Sequence, residues 1–368
     1  MDIQPIPHPS NFIDAQFTDT IRHFATEAER MGRLHNQQLS IIYDKKWFNL
    51  FVPEIYGGLH LSLPEGLKIE EALAWADGSS GWTVTLCSGA NWFIGFLQPE
   101  TAKIIFNNNK VCLAGSGRAS GIAKVVNDEY EISGYWHYAT GAAHATAFTA
   151  NCMVEKDGVI IRDEDGSPLI SSFIFLREEV IVHEDWNCMG MMATSSNSFE
   201  VKELRVNKNR RFSIDEKQAV LKDTIYQYPF LQFAEATLAV NISGMSTRYL
   251  DLVETIIKQR SANKSCPKET TLSLTIKLEE AKKRLEERRQ LFYKTVQHSW
   301  DEYAEGKNGL TTLKEVSKAS RELAATARKL VDELYPYCGL IAANPDSEIN
   351  RVWRNLHTAS QHPLLLFS

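Results

Sequence analysis

The stretch Ser133–Phe148, SGYWHYATGAAHATAF, decides how the rest of the chain is interpreted. It places aromatic rings, a threonine hydroxyl and small residues side by side. Rings can stack on a flat ligand, small residues let it approach the backbone, and a hydroxyl can hydrogen-bond to it. The stretch therefore predicts a site for a flat, partly polar ligand. A tight turn between two strands with buried aromatic residues is the alternative that the same residues allow.

The sequence around this stretch indicates β-structure. Two alternating runs, Ile122–Val126 and Tyr130–Ser133, flank Asn127 and Asp128 and predict a hairpin. Other runs with a period of two continue through residues 111–215, and we predict a β-barrel-like domain there.

Helical periodicity occupies both ends of the chain. Residues 1–110 predict an N-terminal helical domain with helices over 14–46, 64–76 and 81–98. Residues 216–368 contain four long amphipathic segments, which predict a C-terminal four-helix bundle. These segments are 233–256, 274–300, 313–334 and 347–366. The expected fold class is α+β with three domains.

Composition narrows the possible functions. The chain has 368 residues and a net charge of −6 without long charged runs, which argues against a nucleic-acid partner. We expect no membrane span, because no apolar run reaches the roughly 20 residues that one needs. The six cysteines are far apart and predict neither a metal site nor a disulfide framework. A polar, proline-rich start does not resemble a signal peptide, so we expect a cytoplasmic protein.

Two motifs resemble the flavin-contacting segments of the acyl-CoA dehydrogenase superfamily. Trp136–Thr140, WHYAT, falls on the family pattern K-x-W-I-T, and residues 189–196, MGMMATSS, fall on a second pattern around G-(M/L)-r-x-T-x-S. The order of helices, strands and helical bundle is similar to the family's three-part plan over essentially the whole chain. The resemblance implies the acyl-CoA dehydrogenase fold and a flavin, either FAD or FMN.

The C-terminal stretch resembles one branch of this superfamily. Arg351–His362, RVWRNLHTASQH, is similar to R-x-W-R-D-x-x-T-A-S-Q-H in two-component flavin-dependent hydroxylases of the para-hydroxyphenylacetate type. Gly134–Ala145 also matches that branch, with Thr140 where the branch has serine. Those enzymes take reduced flavin from a separate reductase and hydroxylate an aromatic ring. Asn355 departs from the family aspartate, so an ion pair beside Arg354 becomes at best a neutral hydrogen bond.

The resemblance implies three groups of site residues. The catalytic candidates are Thr140, as donor to the flavin edge, His144 and His362. The flavin-binding candidates are Tyr138, Thr140, Gly141, Trp186, Gly190, Thr194 and Ser195. The substrate-binding candidates are Asn91, Trp92, Ser116 and Arg118. Structural roles are the alternatives: a helix cap for His362, a strand-end position for His144, a buried helix for Trp92, and bundle salt bridges for Arg351 and Arg354.

Two other functions stay open at this point. An acyl-CoA dehydrogenase needs a carboxylate base, yet no acid follows Arg354. Glu235 is the only acid between Thr224 and Leu250, and it does not fall cleanly on the family motif. The alternatives are therefore a dehydrogenase that uses Glu235 or a displaced acid, and a non-catalytic flavin- or acyl-binding protein.

The expected assembly is a homotetramer or its constituent dimer. The bundle helices of the superfamily pack against those of other subunits, and the apolar helix faces in this sequence exceed what one bundle core must bury.

Overall fold

The computed structural model describes residues 6–107, 110–263, 268–307 and 309–366. Cys266, one of the six cysteines, lies outside these ranges.

In the described part of the chain, six α-helices precede the sheet. They are α1 (Ala15–His23), α2 (Ala25–Met31), α3 (Asn36–Asp44), α4 (Leu63–Ala76), α5 (Gly78–Asn91) and α6 (Pro99–Ile105). The single helix predicted over 14–46 is therefore three helices. Gly32 ends α2 in the left-handed conformation at φ +65°, and the His35 side chain caps α3 by accepting a hydrogen bond from the Gln37 N–H.

Helix α5 begins three residues before the predicted start at Gly81. The Asp77 carboxylate accepts hydrogen bonds from the Ser80 N–H at 2.9 Å and the Ser80 hydroxyl at 2.8 Å, which is an N-terminal cap. A side chain at Gly81 would lie 2.4 Å from the Ala74 backbone, so this glycine permits close packing of α5 on α4. Residues 77–81, which lie between the predicted helices 64–76 and 81–98, thus cap and begin the helix that forms one wall of the cavity described below.

Eight strands of the described residues form one mixed sheet. They are β1 (Leu113–Val126), β2 (Glu129–Ala139), β3 (Ala147–Lys156), β4 (Val159–Ile160), β5 (Ile170–Leu176), β6 (Ile181–His183), β7 (Asn197–Asn207) and β8 (Arg211–Phe212). The strand order is β6-β7-β2-β1-β3-β5-β8, with β4 on β3. Strands β1 and β3 pair in parallel, and the other pairs are antiparallel.

The sheet is open, so the barrel-like closure expected from the sequence is not what the structure shows. Over the described residues, β6 and β8 stand at opposite ends of the strand order and do not pair with each other. The predicted hairpin is confirmed: β1 and β2 are antiparallel, with Val126 opposite Glu129. Asn127 takes the positive φ of +55° that a two-residue turn requires.

The helices after the sheet are α7 (Thr224–Gln227), α8 (Phe230–Ala262), α9 (Lys268–Ala304), α10 (Leu310–Cys338), α11 (Leu340–Ala343) and α12 (Glu348–Ala359). Three long helices, α8, α9 and α10, pack against one another, and α12 packs on α8. The fourth helix is shorter than the predicted 347–366. After it ends, His362 caps a separate 3-10 turn over Pro363–Leu365.

A buried ion pair connects the N-terminal helices to the bundle. Arg289 of α9 donates to both carboxylate oxygens of Glu71 in α4, at 2.8 and 2.9 Å. Tyr293 and Ser243 donate their hydroxyl protons to the same carboxylate. Burial of such a pair is tolerated when the remaining acceptor positions are occupied, as they are here.

Within the described ranges, none of the helices has both the length and the apolar composition that a membrane span requires. The same residues contain no group of three His, Cys, Asp or Glu side chains placed to hold a metal ion.

Candidate flavin and substrate site

A cavity of about 280 Å³ lies between α5, the sheet and α8. Small and apolar residues make most of its wall, which is typical of a site for a small organic ligand. The lining residues are Thr85, Leu86, Gly89, Ala90, Phe93, Gly115, Ser116, Gly117, Thr140, Thr149, Ala150, Asn151, Ser172, Phe212, Ile214, Phe230, Phe233, Ala234, Thr237, Leu238, His362 and Leu364. The cavity brings together Ser116, Thr140 and His362, three residues that the sequence assigned to the site.

His362 closes the cavity from the C-terminal segment. Its Nδ1 accepts a hydrogen bond from the Leu364 N–H at 3.3 Å, so the neutral ring carries its proton on Nε2. Burial lowers the pKa of His362, which keeps the ring neutral at neutral pH. The ring also meets Trp82 edge-on at 6.2 Å. His362 is therefore both the cap of a turn and a polar group of the cavity wall.

The carbonyl oxygen of Met191 organises the loop between β6 and β7. It accepts hydrogen bonds from the indole N–H of Trp186 at 2.8 Å, from the Thr194 N–H at 3.1 Å and from the Thr194 hydroxyl at 2.8 Å. The Met191 N–H donates to Oδ1 of Asn355 in α12 at 2.7 Å. One residue thus fixes an aromatic side chain and a hydroxyl, and it is itself anchored to the last helix.

A chain of hydroxyls connects this carbonyl to the cavity. Thr194 Oγ1 lies 2.7 Å from Ser196 Oγ, and Ser196 Oγ lies 2.9 Å from Thr140 Oγ1. All three hydroxyl-bearing residues are buried. Thr194 and Thr140 were predicted from the sequence and Ser196 was not, although the Thr-Ser-Ser run was the available signal.

The direction of these hydrogen bonds follows from the carbonyl. A carbonyl only accepts, so the single hydroxyl proton of Thr194 must point to Met191. Ser196 must then donate to Thr194, and Thr140 must donate to Ser196. Thr140 consequently has an accepting oxygen left for the cavity, the opposite of the donor role expected from the sequence.

Tyr138 and Trp186, the predicted flavin wall, lie beside each other. Their rings meet nearly at right angles, at 83° and 6.2 Å between centroids. Tyr138 is 63% exposed and has a φ of +66°, which is unusual for a residue with a side chain. The indole of Trp186 is half-buried and held by Met191. An exposed ring beside a fixed one is suited to contact with a flat ligand.

The two predicted glycines allow close backbone contacts. Gly141 has a φ of +81° and donates its N–H to the Thr194 carbonyl at 2.9 Å. A Cβ atom at Gly190 would lie 2.1 Å from the Arg354 carbonyl oxygen, so only glycine lets this loop lie against α12. Ser195 is also engaged within the protein, since its Oγ accepts from the Ala143 N–H and from the Asn197 amide.

His144 does not line the cavity. Burial, with the nearby positive charge of Arg33, lowers the pKa of His144 to about 4. Its Nε2 is buried and has no hydrogen-bond partner in the part of the chain that the structure describes. The imidazole is therefore neutral near pH 7, and its catalytic role stays a prediction.

Three of the predicted substrate residues lie away from the cavity wall. Asn91 is fully buried, where its amide donates to the carbonyl of Phe48 and its Oδ1 accepts from the Leu113 N–H. Trp92 packs behind Phe233 and donates its indole N–H to the Ile225 carbonyl. Arg118 is exposed on β1. The polar groups of Asn91 and Trp92 are thus occupied by the backbone, and only Ser116 of this group reaches the cavity.

Comparisons with known proteins support the resemblance. The family model described as "Acyl-CoA dehydrogenase, C-terminal domain" matches residues 236–366. The oxygenase subunit HsaA of a flavin-dependent monooxygenase from Rhodococcus jostii is 25% identical over 358 residues, which cover 93% of this chain and 91% of that protein. The chain is thus similar to the acyl-CoA dehydrogenase family over residues 236–366, and to flavin-dependent oxygenase subunits over most of its length.

Solved structures agree in fold. The crystal structure of 3-HSA hydroxylase from Rhodococcus sp. RHA1 superimposes with a TM-score of 0.88 at 21% identity, covering 98% of this chain and 93% of that one. The structure of XiaF from a Streptomyces species in complex with FADH2 and glycerol has a TM-score of 0.84 at 18% identity, covering 95% of this chain and 89% of that one. The similarity covers the N-terminal helices and the sheet as well as the bundle.

Asn355, which stands where the family motif has aspartate, anchors the loop between β6 and β7. It does not replace an ion-pair partner of Arg354, because that guanidinium pairs with both oxygens of Glu29 at 2.6 and 3.0 Å. Asn355 is 1% exposed, and its uncharged oxygen accepts the Met191 N–H. Burying an amide costs less than burying a carboxylate, which accounts for asparagine here.

We expect Asn355→Leu to lower the free energy of unfolding by about 1–3 kcal/mol, because it leaves the buried Met191 N–H without an acceptor. Chemical denaturation measures this change. Gln361→Leu is the matched control, since Gln361 lies exposed just after α12. An equal effect of both substitutions would contradict the anchoring role of Asn355.

Proposed function

We propose that this protein is the oxygenase component of a two-component flavin-dependent monooxygenase. It takes reduced FAD or FMN from a separate flavin reductase and hydroxylates a small aromatic substrate. The observation that carries the proposal is the composition of the cavity: apolar and small walls with Thr140 and His362 as polar groups, and no Asp, Glu, Lys or Arg among its described lining residues. The similarity to flavin-dependent oxygenase subunits supports it.

The flavin would lie along Tyr138 and Trp186, with its reactive edge at Thr140. The fit rests on the exposed Tyr138 ring, the fixed Trp186 indole and the accepting oxygen of Thr140. When bound, reduced flavin supplies two electrons, so that one atom of O2 enters the substrate ring and the other leaves as water. The protein side chains position both molecules and exclude water, since the cavity wall is mainly apolar.

His362 would orient the substrate. With Nδ1 engaged by the Leu364 N–H, Nε2 is the ring nitrogen that remains for the cavity. It can donate a hydrogen bond to an oxygen on the aromatic ring and hold that oxygen in place. Because burial lowers its pKa, His362 does this as a neutral group.

The dehydrogenase alternative lacks a carboxylate base among the described residues that line this cavity. Glu235 is fully buried, does not line the cavity and accepts a hydrogen bond from Arg321 at 2.6 Å. A carboxylate that is paired in this way is poorly suited to remove a proton from an acyl-CoA thioester.

The cavity composition also supports a proposal about the charge of the substrate. A carboxylate in this cavity would be buried without a positive partner, which costs several kcal/mol. We therefore propose an uncharged aromatic substrate, such as a phenol or an indole without an acidic substituent.

The proposed reaction can be tested with chemically reduced flavin, O2 labelled with ¹⁸O, and indole. We expect one labelled oxygen atom in the product, detected by mass spectrometry. Indole-3-acetate is the matched charged compound. Its kcat/KM should be lower by a factor of about a hundred or more, since burying its carboxylate costs several kcal/mol and about 1.4 kcal/mol corresponds to a factor of ten. Reduction of bound oxidised flavin by an acyl-CoA, without hydroxylation of any phenol or indole, would instead establish the dehydrogenase.

We expect His362→Ala to lower hydroxylation by roughly 10²–10⁴-fold, the usual contribution of a positioned proton-transfer group. Flavin binding should be retained, because the imidazole acts on the substrate. The free energy of unfolding should change by no more than about 1 kcal/mol, since the cap of one short 3-10 turn is lost. Turnover equal to that of the parent would remove His362 from the reaction.

We also propose a homotetramer or a homodimer. Leu272 and Ile276, one turn apart on α9, are 62% and 53% exposed, and Leu340 on α11 is 89% exposed. Exposed apolar residues in neighbouring positions are typical of subunit contacts. Light scattering at micromolar concentration should give two or four times the chain mass, and a monomer would exclude this assembly.

A cytoplasmic location completes the proposal. The five cysteines within the described ranges are unpaired, which is typical of a reducing compartment.

A further inference from the structure

We infer that Thr194 and Ser196 are positioning residues that make the Thr140 hydroxyl a hydrogen-bond acceptor, and so make the site prefer reduced over oxidised flavin. The inference rests on the proposed function. Three hydroxyls would determine which redox state of the flavin binds more tightly. Thr140 lines the cavity, and Thr194 and Ser196 lie behind its wall.

The hydroxyl chain begins at a group that cannot be reversed. Met191 O has no proton, and at 2.8 Å from Thr194 Oγ1 two oxygens without a proton between them would repel each other. The Thr194 proton is therefore fixed, and each later contact has only one allowed direction. Each of the three hydroxyls then donates its proton toward the Met191 carbonyl, so that the Thr140 oxygen can only accept a hydrogen bond from the cavity.

Burial prevents solvent from changing this direction. Thr194, Ser196 and Thr140 are 0%, 5% and 6% exposed, respectively. Apart from the other hydroxyls of the chain, the described contacts of the Ser196 hydroxyl include no further acceptor to which its proton could turn. A buried polar network that is fully satisfied in this way is rigid.

An accepting oxygen distinguishes the two redox states of a flavin. Oxidised flavin has a bare N5, which accepts a hydrogen bond, whereas reduced flavin has an N5–H, which donates one. Thr140 can accept from the N5–H of reduced flavin but presents a lone pair to the bare N5 of oxidised flavin. The arrangement thus favours the form that a reductase delivers and favours release of the form left after turnover.

The test compares dissociation constants of reduced and oxidised FAD, measured by anaerobic equilibrium titration, in three variants. Thr194→Val removes the fixed acceptor of the Ser196 proton, and Ser196→Ala releases the Thr140 proton directly. In both, Thr140 can donate to a bare N5, so the preference for reduced flavin should fall by about three- to tenfold, the effect of one neutral hydrogen bond. Thr194→Ser keeps the hydroxyl and should keep the preference.

A second readout is the potential of the bound flavin. A tenfold loss of the preference for reduced flavin lowers the two-electron reduction potential of the bound flavin by about 30 mV. This measurement does not depend on the catalytic rate. Ser320→Ala controls for loss of a buried hydroxyl, because Ser320 is fully buried in α10 and donates to Val316 O. Thermal melts of all variants identify any that fail to fold.

The outcomes separate the inference from the proposed function. An unchanged preference in folded Thr194→Val and Ser196→Ala, with hydroxylation intact in the parent, would overturn the inference alone. Failure of the parent to bind flavin in either redox state would overturn the proposed function and the inference with it. A reduced preference in Thr194→Val that Thr194→Ser restores would support the chain of hydroxyls.

Discussion

The candidate site depends on one backbone carbonyl. Met191 O receives three hydrogen bonds, from the Trp186 indole, the Thr194 amide and the Thr194 hydroxyl. The same residue has a left-handed φ of +55° and is held by Asn355 through its N–H. If this peptide unit turned, the Trp186 indole and the hydroxyl chain would lose their orientation together. The geometry of the site is therefore fixed by main-chain groups, which most side-chain substitutions leave unchanged.

Close packing makes this arrangement possible. Gly190 lets the loop approach the Arg354–Asn355 peptide to a distance at which no other residue fits. Arg354 in turn binds Glu29 through two hydrogen bonds, so α12 is held between the N-terminal helices and the loop. Because a bidentate pair of this kind fixes direction as well as distance, α12 cannot rotate without breaking it. Rigidity at the site thus comes from three segments that are distant in sequence.

The sequence predicted the mixture of helices and sheet, and three of its candidate residues line the cavity in the structure. Local signals were sufficient where the structure is local: the turn at Asn127 and the periodicity of α8, α9 and α10 all appear in the structure. Thr140 was found because its motif is contiguous. The sequence was insufficient where long-range contacts decide: Asn91 was predicted to line the substrate pocket, yet its carboxamide hydrogen-bonds to backbone groups of two segments, at Phe48 and at Val111–Leu113. The direction of the hydroxyl chain could not be predicted, because it depends on which atom lies next to Thr194.

The ion pair between Glu29 of α2 and Arg354 of α12 has a consequence for the order of folding. Glu29 and Arg354 are 325 residues apart in the chain, and Met191 and Asn355 are 164 residues apart. Contacts between residues so far apart form late, since the entropy of closing a long loop opposes them until the intervening parts are compact. The helices and the β1–β2 hairpin can form from neighbouring residues. We therefore expect the site to reach its final geometry late in folding, after the helices and the hairpin have formed.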